Sequence, residues 1–291
     1  MANFISWSSQ PLEEWSKKYA RGKFIELDGL STHYLEKGSG EPVILIHGFF
    51  FDTNMWNKSI DVLAEKYKVY AIDLWGFGYS TRKPLDYGYP LYVQQLQKFM
   101  DALDIQRASM VGQSMGGGTI IKFAISNRPR VEKIVLVSAA GMPNKLPIMG
   151  RISNLPKLGE FMYGMNSDFV RKFTLGSTFF HNKEVITDEF YEQLTRFHKI
   201  ERSSEVMLYI TRKQFFYTLT EEINTLGAMD IPILIVWGRE EKSIRLSIGE
   251  ELASILKGSQ MAVLNQAGHC SNIDQFEQFN QLVLDFLALP I

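Results

Sequence analysis

Ser114 stands in the run Gly112-Gln113-Ser114-Met115-Gly116, and Gly117 and Gly118 follow it. The run matches G-x-S-x-G and lies between an apolar stretch, Ala108 to Val111, and helical patterning over 115–127. At a strand-to-helix junction this pattern marks a nucleophile: the turn strains the serine backbone and lifts its hydroxyl above the sheet. Side chains two residues before and two after would collide with the neighbouring strand and helix, so both positions are glycine. The hydroxyl then sits at a helix N-terminus, where the dipole and free N–H groups favour negative charge.

A serine hydroxyl needs a base to take its proton. The chain has five histidines. His33 lies in an early hairpin pattern, His47 ends the apolar run PVILIH, and His181 and His198 lie in a long helical stretch. His269 follows the last apolar run, in the kind of strand-end loop from which a base reaches the elbow. Sites built on this elbow run serine, acid, histidine along the chain. The acid is therefore expected after ILIVW, in the loop GREEKS, where Glu240 and Glu241 both stand. No Asp or Glu directly follows IVLVSAAG, so a displaced acid there is not supported. A tetrahedral oxyanion needs backbone donors aimed at its charge. The candidates are the N–H of Met115 and that of Phe49, in the loop His47-Gly48-Phe49. His47 itself reads as an organiser of that loop.

The elements that must position these groups alternate. Residues 23–28 and 32–36 flank Gly29 and read as an antiparallel pair. Continuous apolar runs at 42–47, 69–72, 108–111, 134–137, 233–236 and 261–264 read as strands covered on both faces. Helical patterns occupy about 56–67, 91–104, 115–127, 246–257 and 275–288. The expected fold is an α/β doubly wound, mostly parallel sheet. From Met142 to about Leu226 no strand run occurs, and the segment is rich in Phe, Met, Leu and Tyr. The expected organisation is a core of residues 1–141 and 227–291 with a helical cap inserted at 142–226. Its aromatics, Phe161, Tyr163, Phe169, Phe173, Phe179, Phe180, Phe190, Tyr191, Phe197, Phe215, Phe216 and Tyr217, with Met162 and Met165, are expected to form the cap's own core and to line a lipophilic pocket.

Composition excludes several classes. Of the 291 residues, 45% are hydrophobic and 22% charged, an ordinary globular balance. Thirty-one basic and 32 acidic side chains give a net charge of −1, so there is no basic surplus for nucleic acid. The single cysteine, Cys270, forbids an internal disulfide and reads as core filler. No signal-peptide pattern and no apolar span of membrane length is present, so a cytoplasmic protein is expected. With no H-E-x-x-H and no paired cysteines, neither a metal nor a cofactor is expected. The G-x-G after Asp73 lacks the third glycine and helix opening of a dinucleotide loop. Trp7, Leu12, Trp15 and Tyr19 make an apolar stripe in the N-terminal stretch. It could pack on the core, touch lipid, or meet a partner subunit in a homodimer.

Taken together, PVILIHGF (42–49), DLWGFGYS (73–80), GQSMGG (112–117), IPILIVWGREE (231–241), AGH (267–269) and FNQLVLDFL (279–287) resemble the α/β-hydrolase superfamily, in its capped lipase, esterase and meta-cleavage-product hydrolase members. The resemblance covers the whole core, and it implies a Ser114–His269–acid triad. The family's W-G-x-x-D places its aspartate where this chain has Glu241, an accepted acid one methylene longer. Asp73 resembles a structural element of the family. The expected activity is hydrolysis of a lipophilic carboxylic ester through an acyl-enzyme. The alternative is a C–C bond hydrolase acting on vinylogous diketones: FNQLVLDFL and SMGG favour it, while HGFFFDTN and Cys270 disfavour it. A third reading is a binding or signalling protein that keeps the triad with little turnover.

Overall fold

Apolar runs without polar alternation need cover on both faces, and six of them form the parallel part of one sheet. The computed structural model describes residues 5–144, 148–164 and 168–290, so Met165 and the first four residues lie outside it. Strands β1 (Lys23–Leu27) and β2 (Leu30–Lys37) form a hairpin over Asp28 and Gly29, whose φ values of 52° and 74° suit a two-residue turn. Then follow β3 (Pro42–Ile46), β4 (Lys68–Ile72), β5 (Ala108–Gln113), β6 (Val131–Val137), β7 (Ile233–Gly238) and β8 (Gln260–Leu264). The sheet order is β1-β2-β4-β3-β5-β6-β7-β8. Only the β1–β2 and β2–β4 pairings are antiparallel.

The helices are α1 (Leu12–Tyr19), α2 (Asn57–Leu63), α3 (Tyr89–Ala102), α4 (Met115–Ser126), α5 (Ile148–Ser153), α6 (Leu158–Gly164), α7 (Asp168–Thr178), α8 (Asp188–Thr195), α9 (Ser203–Lys213), α10 (Thr220–Gly227), α11 (Leu246–Ile255), α12 (Ser271–Asp274) and α13 (Phe276–Ala288). Successive strand residues face opposite sides of the sheet, and the two cores divide on that rule. Ile44, Ile46, Ile134 and Leu136 join Leu96, Phe99 and Ile120 of α3 and α4. Val43, Leu45, Val135 and Val137 join Ile60 and Leu63 of α2 and Val283 and Phe286 of α13. The sheet is therefore doubly wound, as its apolar runs imply.

Between β6 and β7 the described residues contain helices and no strand. Helix α9 packs on α5 and α6, whereas α10 packs on α4 and α11. The aromatics of this segment do not share one fate. Phe180, Tyr191, Phe197, Phe215 and Phe216 are buried as expected. Phe161, Phe169 and Phe173 are 66%, 80% and 65% exposed, which corrects their assignment to a core or a pocket. Phe169 and Phe173 are four residues apart on α7 and share its outer face.

The N-terminal stretch packs within the chain. Trp7 and Trp15 are buried, and the Trp15 indole donates to the Arg196 carbonyl at 3.1 Å. Ser8 N–H donates to the His198 carbonyl (3.0 Å), and Ser9 and Gln10 N–H to that of Lys199 (both 2.8 Å). Its apolar stripe thus lies against residues 196–204. Among the described residues no helix is long and apolar enough to cross a membrane.

Candidate active site

In an open α/β sheet, ligands sit at the carboxyl ends of the strands, where the strand order reverses. Here β3 has β4 on one side and β5 on the other, so the loops after β3 and β5 open onto the same crevice. Ser114 follows β5 directly, and His47-Gly48-Phe49 follows β3. Ser114 adopts φ 50° and ψ −116°, a strained conformation for a non-glycine residue. Three backbone bonds hold it there: Ser114 N–H donates to Val137 O (2.9 Å), and Ser114 O accepts from Gly118 N–H (3.1 Å) and Ala140 N–H (2.9 Å).

The glycines follow from crowding. A Cβ at Gly112 would lie 2.6 Å from the Gly116 carbonyl carbon, and one at Gly116 would lie 2.7 Å from the His47 carbonyl oxygen. Both contacts are with backbone, which cannot swing aside. A Cβ at Gly48 would come within 3.1 Å of Ser114 Cβ, so the β3 loop passes directly over the elbow. Met115 opens α4, where the first amides have no carbonyl one turn back.

His47 is buried. Its Nε2 accepts from Leu74 N–H at 3.0 Å, so the ring proton is on Nδ1, which donates to the Gly48 carbonyl at 2.8 Å. Burial lowers its pKa against the pull of Asp73, and the ring stays neutral. It staples the loop, as its position suggested.

His269 and Glu241 come together after β8 and β7. Nδ1 of His269 is 2.6 Å from Glu241 Oε2, and both side chains are almost completely buried. Glu241 Oε1 accepts from Ser243 N–H at 2.6 Å, which holds the longer carboxylate in place. Glu240 is occupied differently: its Oε2 accepts from Ala267 N–H at 3.0 Å, while its own N–H donates to Ala267 O at 3.0 Å. With Nδ1–H given to a carboxylate, Nε2 of His269 is left with a lone pair able to accept a proton. Cys270 is buried beside it, and burial, with the charges of Asp274 and Glu241, holds its thiol well above the usual range. It is filler rather than a nucleophile.

Asp73 belongs to a separate buried cluster. Its carboxylate accepts from Thr53 N–H and Tyr79 N–H, both at 2.8 Å, and meets His33 Nδ1 at 2.7 Å. It braces the loops after β3 and β4, and takes no part in the His269 pair.

Three side chains near the site were not singled out from sequence. Gln113, beside Ser114, donates from Nε2 to the His269 carbonyl at 3.1 Å and ties the His269 loop to the elbow. Asp274 accepts from Gly268 N–H (2.8 Å) and His181 N–H (2.9 Å), joining that loop to the helical segment. Its place five residues after His269 was the only available signal. His198 Nε2 lies 3.1 Å from the Phe50 carbonyl, a contact across 148 residues with no local signature. Around the site the rings form an apolar wall. Phe179 stacks on Phe50 (5.9 Å) and lies 5.7 Å from the His269 ring, and Phe49 lies 5.4 Å from Phe216. Burial and the charge of Glu241 push Tyr217 up to about 12, so its phenol stays protonated.

A family profile described as "alpha/beta hydrolase fold" matches residues 41–276, and the chain belongs to that family. Within it the chain is of the meta-cleavage-product hydrolase kind. It is 30% identical over 278 residues to a 2-hydroxymuconate semialdehyde hydrolase of Pseudomonas sp. (strain CF600), covering 92% of this chain and 94% of that one. It is 28% identical over 280 residues to a 2-hydroxy-6-oxo-2,4-heptadienoate hydrolase of Pseudomonas putida, covering 92% and 96%. The solved meta-cleavage product hydrolase of Pseudomonas fluorescens IP01 superposes with a TM-score of 0.78 at 28% identity, covering 91% of this chain and 97% of that one. The chain is therefore a hydrolase by kinship.

Proposed function

We propose that this chain is a serine hydrolase that cleaves a C–C bond in ring-fission products of the 2-hydroxy-6-oxo-dienoate class. The single observation that carries the substrate class is full-length similarity to hydrolases of that description. Ester hydrolysis, the first expectation from sequence, thereby becomes the second reading. The paired His269 and Glu241 beside the Ser114 elbow support the chemistry that both readings share.

In this reading Ser114 Oγ adds to the ketone carbon while its proton passes to Nε2 of His269. Glu241 orients the imidazole and stabilises its charged form. The N–H groups of Phe49 and Met115 receive the oxyanion. The substrate reacts as its 2-oxo tautomer, its enol proton having moved to the carbon next to the ketone. On collapse the acyl–carbon bond breaks, and its electron pair is taken up by the conjugated 2-oxo group as a dienolate, which is then protonated. Water then adds to the acyl-enzyme, giving a carboxylic acid and restoring the Ser114 hydroxyl. Residues 142–226 act as a cap over the crevice, with Phe50, Phe179 and Phe216 placing apolar surface against the substrate.

The second reading keeps the same residues and takes a lipophilic carboxylic ester. The wall of phenylalanine rings favours it. The test is kcat/KM of wild type and Ser114→Ala on 2-hydroxy-6-oxohepta-2,4-dienoate and on 4-nitrophenyl esters of increasing chain length. At least about ten-fold preference for the dienoate, abolished in Ser114→Ala, upholds the proposal. A preference for the esters replaces it with the second reading. Labelling of Ser114 by a fluorophosphonate without turnover of either class points to a binding role.

A further inference from the structure

Phe50 has φ 77°, in the left-handed region that a bulky side chain enters only at a cost. It directly follows Phe49, whose N–H is read above as an oxyanion donor. Such a conformation persists only when its surroundings impose it. One constraint is local: Phe51 N–H donates to the Gly48 carbonyl at 3.3 Å. The other arrives from the helical segment. Nε2 of His198 lies 3.1 Å from the Phe50 carbonyl, and the His198 ring packs edge-on against the Phe50 ring at 4.4 Å.

The direction of that contact is set by Arg171. Its Nη1 lies 2.9 Å from His198 Nδ1. A guanidinium can only donate, so Nδ1 accepts and the ring proton resides on Nε2, aimed at Phe50. Burial, reinforced by the guanidinium charges of Arg171 and Arg82, keeps His198 neutral. Arg171 is itself buried, donating from Nη2 to the Tyr163 carbonyl (3.1 Å) and lying 4.1 Å from the Trp7 ring. The chain of contacts thus runs from the N-terminal segment through α7 and the turn after α8 to the loop after β3.

We propose that His198, set in its tautomer by Arg171, is a positioning residue for the oxyanion loop: it pins the Phe50 carbonyl and so fixes the direction of the Phe49 N–H. The Phe50 carbonyl shares one peptide plane with the Phe51 N–H, and that N–H holds the Gly48 carbonyl, whose own peptide plane carries the Phe49 N–H; with the first plane tied by His198 and φ of Phe50 at 77°, the second cannot rotate freely. This makes the helical segment part of the catalytic assembly as well as its cover. The inference rests on the roles given above to Ser114, His269 and Phe49.

The test compares His198→Gln with His198→Leu in the full chain. Glutamine can accept from Arg171 through Oε1 and donate to Phe50 through Nε2; leucine fills similar space and does neither. The readout is the rate at which a fluorophosphonate labels Ser114, since its adduct places an oxygen among the same donors. Wild type and His198→Gln are expected to label within about three-fold of each other, and His198→Leu at least about ten-fold more slowly. With 4-nitrophenyl acetate the loss falls on kcat and leaves KM unchanged. Equal labelling rates for the two folded variants overturn the proposal while leaving the triad intact. If His198→Leu does not fold, His198→Asn, whose amide is too short to span both partners, takes its place. Failure to label wild type, or labelling of Ser114→Ala, overturns the triad reading and this proposal with it.

Discussion

Glu240 and Glu241 are adjacent in sequence but hold different parts of one loop. Glu241 meets the His269 imidazole at 2.6 Å, whereas Glu240 accepts from the backbone N–H of Ala267 at 3.0 Å. One carboxylate is placed to act on the ring's charge, the other on the loop's shape.

Glu241→Ala should therefore lower kcat by about 10³- to 10⁴-fold with little change in KM, as loss of a triad acid does. Glu240→Ala should leave kcat within a few-fold and cost about 1 kcal/mol of stability through the lost hydrogen bond. Steady-state kinetics with thermal melts check both. A larger kcat loss in Glu240→Ala would reverse the assignment.

Gly116→Ala should prevent soluble expression or cost about 3 kcal/mol, because its Cβ would meet the Ile46 and His47 backbone. Gly164→Ala is the control, since among the described residues nothing lies within 4 Å of the added methyl. Denaturant melts showing equal effects at both sites would contradict the crowding at the elbow.

The buried, neutral His198 gives a pH signature. Its folded pKa lies well below 6.5, so below pH 6.5 the unfolded chain binds a proton that the folded chain does not. This term contributes stability above pH 6.5 that is lost as pH falls. His47 acts in the same direction. His33 opposes them: burial alone would lower its pKa, but the charge and hydrogen bond of Asp73 outweigh that and raise it. Its contribution is full below pH 6.5 and is lost as pH rises through the folded value. The stability difference between wild type and His198→Gln should then shrink by about 1 kcal/mol between pH 6.5 and 5.5. Urea midpoints across that range measure it, and a flat difference would show that His198 titrates normally.

Phe169 and Phe173, mostly exposed on α7, should tolerate replacement by Gln within about 0.5 kcal/mol. The double variant should bind less of a hydrophobic dye and label Ser114 at the wild-type rate. A fall of more than about 2 kcal/mol in chemical denaturation would mean that these rings are covered in solution.

Sequence alone carried the parallel sheet, the Ser114 elbow, His47 as a loop staple and the candidacy of His269. Each depends on residues close together in the chain: an apolar run, a tight turn, a glycine two positions away. The physical demands there are local, so type and spacing express them. It also offered two glutamates for one acid, because neighbours in a loop have equal claim until the loop folds. Only the tertiary structure set Glu241 against the His269 ring and Glu240 against the Ala267 backbone, exposed three phenylalanines expected inside, and brought Arg171 and His198 to Phe50. Those outcomes depend on contacts between elements tens to hundreds of residues apart. Their energy lies in burial and in hydrogen-bond direction across packed surfaces, and no spacing along the chain encodes either.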